Sequence, residues 1–198
     1  MNTTLTEIMP KNRLEIFSDG VIAIIITVMV LEIKVPHGTE LSDLKPLLPV
    51  FLSYALSFLY IAIYWGNHHH LVHAAKHINS AIMWANLHLL FWLSLIPFAS
   101  SWFGENHTQP LPTAMYGVVL LMSAIAYFTL QRAIVRAHPN QKALNEAFAV
   151  DWKGRISAIG YASGVGLAYV NVWLSIFIYI GLAMLWLMPD RRAARAAE

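Results

Sequence analysis

No cysteine occurs in the 198 residues, so neither a disulfide framework nor a thiolate metal site is available. Charge is scarce as well. Asp, Glu, Lys and Arg make up 12% of the chain, where a soluble domain carries about 25%. The formal net charge of +2 lacks the one-sided excess that nucleic-acid binding draws on, so no nucleic-acid partner is expected. No small-residue cleavage site follows the first apolar run. Glu32, Lys34 and Pro36 follow it instead, which predicts a permanent span rather than a removable leader. No nucleophile elbow or phosphate-binding loop positions a Ser, His and acid for catalysis, so an enzyme is not expected, and neither is a cofactor. An internal repeat is also missing.

What is present is apolar: 58% of the residues, in long uncharged runs. That places the chain in the membrane class, and the expected fold is all-α. A crossing of a core roughly 30 Å thick needs about 20 residues of helix. Six spans are predicted, at about 16–35, 47–66, 81–103, 112–135, 156–169 and 172–188. The last two share one stretch, read as a tight hairpin turning near Tyr169–Asn171. The six spans form a single domain over 1–190, with a charged tail at 191–198.

Lys and Arg set the direction. With the N-terminus in the cytoplasm, that side holds Lys11, Arg13, Lys76, Arg132, Arg136, Lys142, Lys153, Arg155, Arg191, Arg192 and Arg195; the outer side holds Lys34 and Lys45. Six spans return the C-terminus to the cytoplasm. The expected location is the cell's inner membrane, multi-pass, with the loop 136–154 carrying a short interfacial helix.

Residues 13–36 are the most informative segment. Arg13, Ser18 and Asp19 lead into an uninterrupted apolar run from Gly20 to Leu31. At about 100° per residue, Gly20, Ile24, Thr27, Val28 and Leu31 fall on one stripe, with Asp19 on another side. Stacked rings of Ile24, Val28 and Leu31 would make a hydrophobic constriction able to gate by dewetting. A plainly buried transmembrane helix shows the same residue types on every face, and Thr27 can simply bond the preceding turn. Asp19 needs a cation or several donors at that depth. Arg13 lies six residues away, too far round the helix for an easy bridge, so if it continues the helix a contact between helices or between subunits is expected, with His68 or His69 as a third member. Alternatively Asp19 only anchors the helix start.

His69, His73 and His77 repeat at i, i+4, i+8, which would share one helix face and could hold zinc or haem. Neither Cys nor carboxylate completes a ligand set, so no metal is expected. Histidines near neutral pH could sense protons instead. His88 should bond a neighbouring helix. Gly160-Tyr161-Ala162-Ser163-Gly164 is read as a close-packing small-residue pattern. Trp102, Phe103 and Trp152 are read as interfacial anchors.

Arg13-x-x-x-Phe17-Ser18-Asp19-Gly20, running into Ala23–Leu31, resembles the first-helix signature of the transmembrane protein 175 family, the lysosomal potassium channels and their prokaryotic homologues. Trp65-x-x-His68 with Leu71, and Asn86-Leu87 followed by Leu95-Ile96-Pro97-Phe98, resemble that family's second and third helices. The likeness covers roughly residues 13–98. It implies a potassium-permeable channel without the Thr-Val-Gly-Tyr-Gly filter, which is missing here, and a homotetramer whose four first helices line the pore. It also implies that Ile24 forms the narrowest ring, that Thr27 forms a hydroxyl layer tied to selectivity, and that Leu31 forms an outer ring, with Val28 sharing the middle layer. Arg13, Phe17, Ser18 and Asp19, with Trp65, His68 and His69, would form a network fixing the pore helices. Potassium ions and the lipid bilayer are the expected partners. Two rivals remain at this point: a proton-conducting or proton-coupled transporter using Asp19 and the histidines, and a haem or metal enzyme using His69 and His73.

Overall fold

The computed structural model describes residues 9–141, 144 and 152–187. Lys142, Met188 and the tail Arg191–Glu198 lie outside the described residues, and so does most of the interfacial helix expected within 136–154. Among the described residues the regular structure is helical: α1 Lys11–Leu31, a 3-10 helix Leu41–Leu47, α2 Leu48–His73, α3 Ser80–Ser94, α4 Ile96–Glu105, α5 Pro110–Ala137, α6 Trp152–Leu167 and α7 Val172–Leu187. Four helical segments are long and apolar enough to cross a membrane: Lys11–Leu31, Leu41–His73, Ser80–Glu105 and Pro110–Ala137. Val172–Leu187 is a shorter apolar helix.

Local chemistry sets the helix ends. α1 starts directly after Pro10, whose φ of −58° and ψ of 134° mark the boundary. It stops before Glu32, where Lys34-Val35-Pro36 turns the chain away from helix, because a residue preceding proline disfavours the α region. The stretch expected as a span from 16 to 35 is thus shifted toward the N-terminus. α2 continues past Gly66 to His73 because His68, Leu71 and Val72 are buried and held by packing rather than by hydropathy. The segment 81–103, read as one helix, is two. Pro97 has no N–H to give the Leu93 carbonyl, and its ring crowds that turn, so the chain breaks at Leu95 and resumes as α4. Asn79 caps α3 by accepting the Ile82 N–H at 2.9 Å.

α5 is the central strut, packing on α3, α4, α6 and α7, while α1 lies against α2, α3 and α4. Four tyrosines, Tyr60, Tyr116, Tyr161 and Tyr179, are fully buried between the helices. Buried hydroxyls must be bonded in such surroundings. Tyr60 donates to the Tyr179 carbonyl. Ser57 donates to Ser100 Oγ at 2.8 Å and shares a 2.9 Å bond with the Tyr116 hydroxyl. The residues after Leu167 turn over 168–171, and Asn171 Oδ1 caps α7 by accepting the Trp173 N–H at 3.0 Å. Gly160 and Gly164 face Leu182 and Tyr179 so closely that a methyl group at either would collide. The small-residue pattern therefore brings α6 against α7.

Three aromatic residues depart from expectation. Phe103 is buried and stacks on Tyr116 at 5.1 Å, so it is core rather than an interfacial anchor. His88 accepts from Trp92 Nε1 at 3.0 Å within its own helix, not from a neighbour. His77 lies beyond the end of α2, so the histidine repeat does not continue along one face. It packs instead on His138, ring centroids 4.3 Å apart. His138 closes this end of the bundle. Its Nε2 accepts the backbone N–H groups of Lys76 and His77 at 3.0 and 3.3 Å, while Nδ1 bonds the Ile134 carbonyl at 2.8 Å. Burial, with His77 and Lys76 beside it, holds the His138 imidazole below its ordinary pKa, in the neutral form those bonds require.

Candidate functional site

α1 has two faces of opposite fate. Leu14, Ser18, Ile22, Ile25 and Met29 recur at three- and four-residue steps and are buried against the bundle. The opposite stripe points away from the chain's own core. Ile24 is 62% exposed and Leu31 80%, and Val28 and Thr27 are exposed beside them. Long apolar side chains at such exposure make a continuous oily surface one helix wide. It is bounded at one end by Arg13 and at the other by the ion pair of Lys34 with Glu105, which ties the end of α1 to the end of α4. Within the stripe, Thr27 Oγ1 donates to the Ile24 carbonyl at 2.8 Å. The proton is thereby turned into the helix and the oxygen lone pairs are left facing outward.

The buried face is fixed by a polar chain. Ser18 Oγ donates to the Leu14 carbonyl at 2.8 Å and accepts from Asn86 Nδ2 at 2.9 Å. Asn86 Oδ1 in turn bonds His68 Nε2 at 2.6 Å. All three side chains are essentially inaccessible to solvent. One residue from each of α1, α2 and α3 thus meets in a dry site, so the rotation of α1 about its axis is set by hydrogen bonds with strict geometry. With Ser18 turned in, the next position lies about 100° away. Asp19 consequently sits at the flank, where its Oδ1 accepts from Trp65 Nε1 at 3.0 Å.

The network expected around Arg13, Phe17, Ser18, Asp19, Trp65, His68 and His69 therefore divides in two. Ser18 and His68 belong to the buried chain, and Asp19 and Trp65 form an exposed pair. Trp65 and His68, three apart on α2, serve one set each. His69 reaches the exposed set only by ring contact, 6.4 Å from Trp65 and stacked on His73 at 5.9 Å. Arg13 and Phe17 are exposed on the outward side of α1. Among the described residues, the Arg13 side chain makes no hydrogen bond or ion pair. Asn86, the hub, was the residue the sequence reading left out of the site. Its signal was available: an amide in the middle of an apolar helix needs partners, and few positions could supply them. Among the described residues no three His, Asp or Glu side chains gather as a metal site.

The sequence model of the family described as "Endosomal/lysosomal potassium channel TMEM175" matches residues 13–97, the stretch that holds α1, the polar chain and the Leu95–Pro97 break. A protein of Chryseobacterium sp. strain P1-3 named a potassium channel is 49% identical over 96% of this chain and 99% of its own. Another so named, from Streptomyces collinus, is 30% identical over 93% of this chain and 97% of its own. The fold matches a crystal structure described as a lysosomal potassium-selective channel TMEM175 homologue from Chamaesiphon minutus, with a TM-score of 0.79 and 28% identity, covering 91% of this chain and 97% of that one. Full-length likeness in sequence and in fold places this membrane protein in the TMEM175 family, a family of ion channels and not of enzymes.

Proposed function

We propose that this chain is a potassium-permeable channel subunit, and that four copies place their α1 helices round a common axis to form the pore. The observation that carries the reading is the outward stripe of α1. Its bundle-facing side is locked by Ser18, Asn86 and His68, while Ile24, Val28 and Leu31 are presented as a unit to whatever lies beside the protomer. The names borne by the relatives matched over nearly their full length supply the ion. In the assembly, Ile24 makes the narrowest ring, Leu31 an outer ring and Val28 a layer between them. Lys and Arg placement favours both termini in the cytoplasm, and the membrane of this reading is the cell's inner membrane. Six crossings over a single domain, residues 1–190, require α6 and α7 to cross as well. Sixteen helical residues reach about 24 Å each, so the flanking residues complete the distance or the bilayer thins locally.

An apolar ring cannot replace a hydration shell, so ions pass largely hydrated and conduction depends on whether the ring is wet. Selectivity then falls to the oxygens nearby. The Thr27 oxygen has its lone pairs outward and can help strip a weakly hydrated cation, which favours potassium over sodium. In proteoliposomes, potassium flux is expected to exceed sodium flux. Thr27→Val, which keeps the shape and removes the oxygen, should lower that ratio several-fold. An unchanged ratio would remove Thr27 from selectivity, and the lack of any cation flux in the wild type would end the channel reading.

Assembly has a direct test, helped by the cysteine-free background. A Leu31→Cys protein in membranes, treated with a short bis-maleimide, should give covalent dimers on a denaturing gel, and Ile25→Cys should not. Monomer alone from Leu31→Cys would mean that the stripe faces lipid. A proton relay is less well supported by the geometry, because Asp19 and His68 are each bonded to a different uncharged partner rather than to one another.

A further inference from the structure

α2 and α6 both lean on α5 but leave a gap between them. The gap is a cleft of about 140 Å³, lined almost wholly by apolar atoms, with α5 and Trp186 of α7 behind it. Its deep end is closed by Tyr60 and Tyr161, ring centroids 6.1 Å apart. From there α2 and α5 run toward their C-termini, and α6 back toward its N-terminus, so all three reach the same membrane surface. Arg155 lines the cleft at that surface and is exposed. Among the described residues it makes no hydrogen bond or ion pair. One turn beyond Phe128, which also lines the cleft, the Arg132 guanidinium lies over the Phe128 ring at 4.2 Å. No Asp or Glu occurs in α2, α5, α6 or α7, so nothing in the lining helices neutralises these two cations.

A dent in a bilayer-facing surface cannot stay empty without loss of contact on every side, and its apolar walls offer water no partners. An acyl chain suits it. The two guanidiniums at the mouth lie where a lipid phosphate would sit, and guanidinium forks match phosphate oxygens. We propose that this cleft binds an anionic phospholipid, with one acyl chain between α2 and α6 and the phosphate held by Arg155 and Arg132. Charge complementarity at the mouth selects anionic over zwitterionic headgroups, and the closed end at Tyr60 and Tyr161 limits how far the chain enters. No residue of α1 lines this cleft, and binding there does not depend on conduction.

The test is native mass spectrometry of the detergent-purified full chain with added phosphatidylglycerol or phosphatidylcholine. The wild type should retain phosphatidylglycerol about ten-fold more than phosphatidylcholine. Arg155→Gln with Arg132→Gln should erase that preference, and the two lysine substitutions should restore much of it. Ala158→Phe, which fills the cleft wall, should lower retention of both lipids. Glycerol 3-phosphate, a headgroup without chains, should not be retained. Equal retention of both lipids by the wild type would overturn the proposal, as would a preference that survives the double Gln variant. Retention of glycerol 3-phosphate as strongly as lipid would reduce the site to a phosphate site and overturn it too.

Discussion

Replacing Ile24 with Asn should raise potassium flux through reconstituted protein by about ten-fold, a barrier change of roughly 1.4 kcal/mol. A ring of four Ile side chains excludes water from a narrow passage, and the ion must cross that dry step. Asn is of similar size but holds water by donating and accepting hydrogen bonds, so the passage stays wet for a larger share of the time. The protomer itself should be little disturbed. Ile24 is mostly exposed and lies opposite the buried side of α1, and exposed substitutions of this kind usually shift stability by less than about 0.5 kcal/mol. Flux and thermal stability measured on the same preparation separate the outcomes. Unchanged flux with unchanged stability would place the constriction elsewhere. Reduced yield in membranes with unchanged flux would indicate that the stripe meets lipid.

Asn86→Leu should have the largest effect on stability. It removes the acceptor for His68 and the donor to Ser18 in a site that water does not reach. Ser18 keeps its bond to the Leu14 carbonyl, so the main loss is a buried, unpaired imidazole N–H. Such a group costs about 1–3 kcal/mol, or a fall in Tm of roughly 3–10 °C for a chain of this size. Because that chain of bonds sets the rotation of α1, the outward stripe should lose its fixed orientation, and flux should fall along with stability. The companion variant Asn86→Leu with His68→Leu removes both polar partners at once and should recover much of the stability. A double variant as unstable as the single would show that the packing of Asn86, not its hydrogen bonds, is what matters. A single variant as stable as the wild type would show that the polar chain is dispensable.

The contrast between these two residues explains what could be read from the chain. Ile24 falls on one stripe with Thr27 and Leu31 by helix periodicity, and periodicity and an uninterrupted apolar run are local properties. Asn86 was visible only as a residue in a motif. Its role depends on Ser18, 68 positions earlier, and on His68, 18 positions earlier, and no local pattern encodes that meeting. Asp19 shows the same limit from the other side. Its need for a partner on another helix follows from its charge and depth, and within the protomer that partner is the indole of Trp65. Helix ends fared similarly. Hydropathy closed the second helix near Gly66, whereas buried His68, Leu71 and Val72 carry it to His73. Pro97 is visible within the third apolar segment, and its missing N–H and crowding ring turn that segment into two helices.

The amino-acid order alone determined that this is a helical membrane chain, and that its first helix carries an apolar stripe with a single hydroxyl in it. Transfer of apolar groups out of water and the helical repeat both act residue by residue, so they can be summed along the chain. Tertiary structure alone decided which way that stripe faces. The orientation follows from a hydrogen-bonded meeting of three helices at Ser18, Asn86 and His68, and buried polar groups are satisfied in three dimensions by whatever the fold brings within reach.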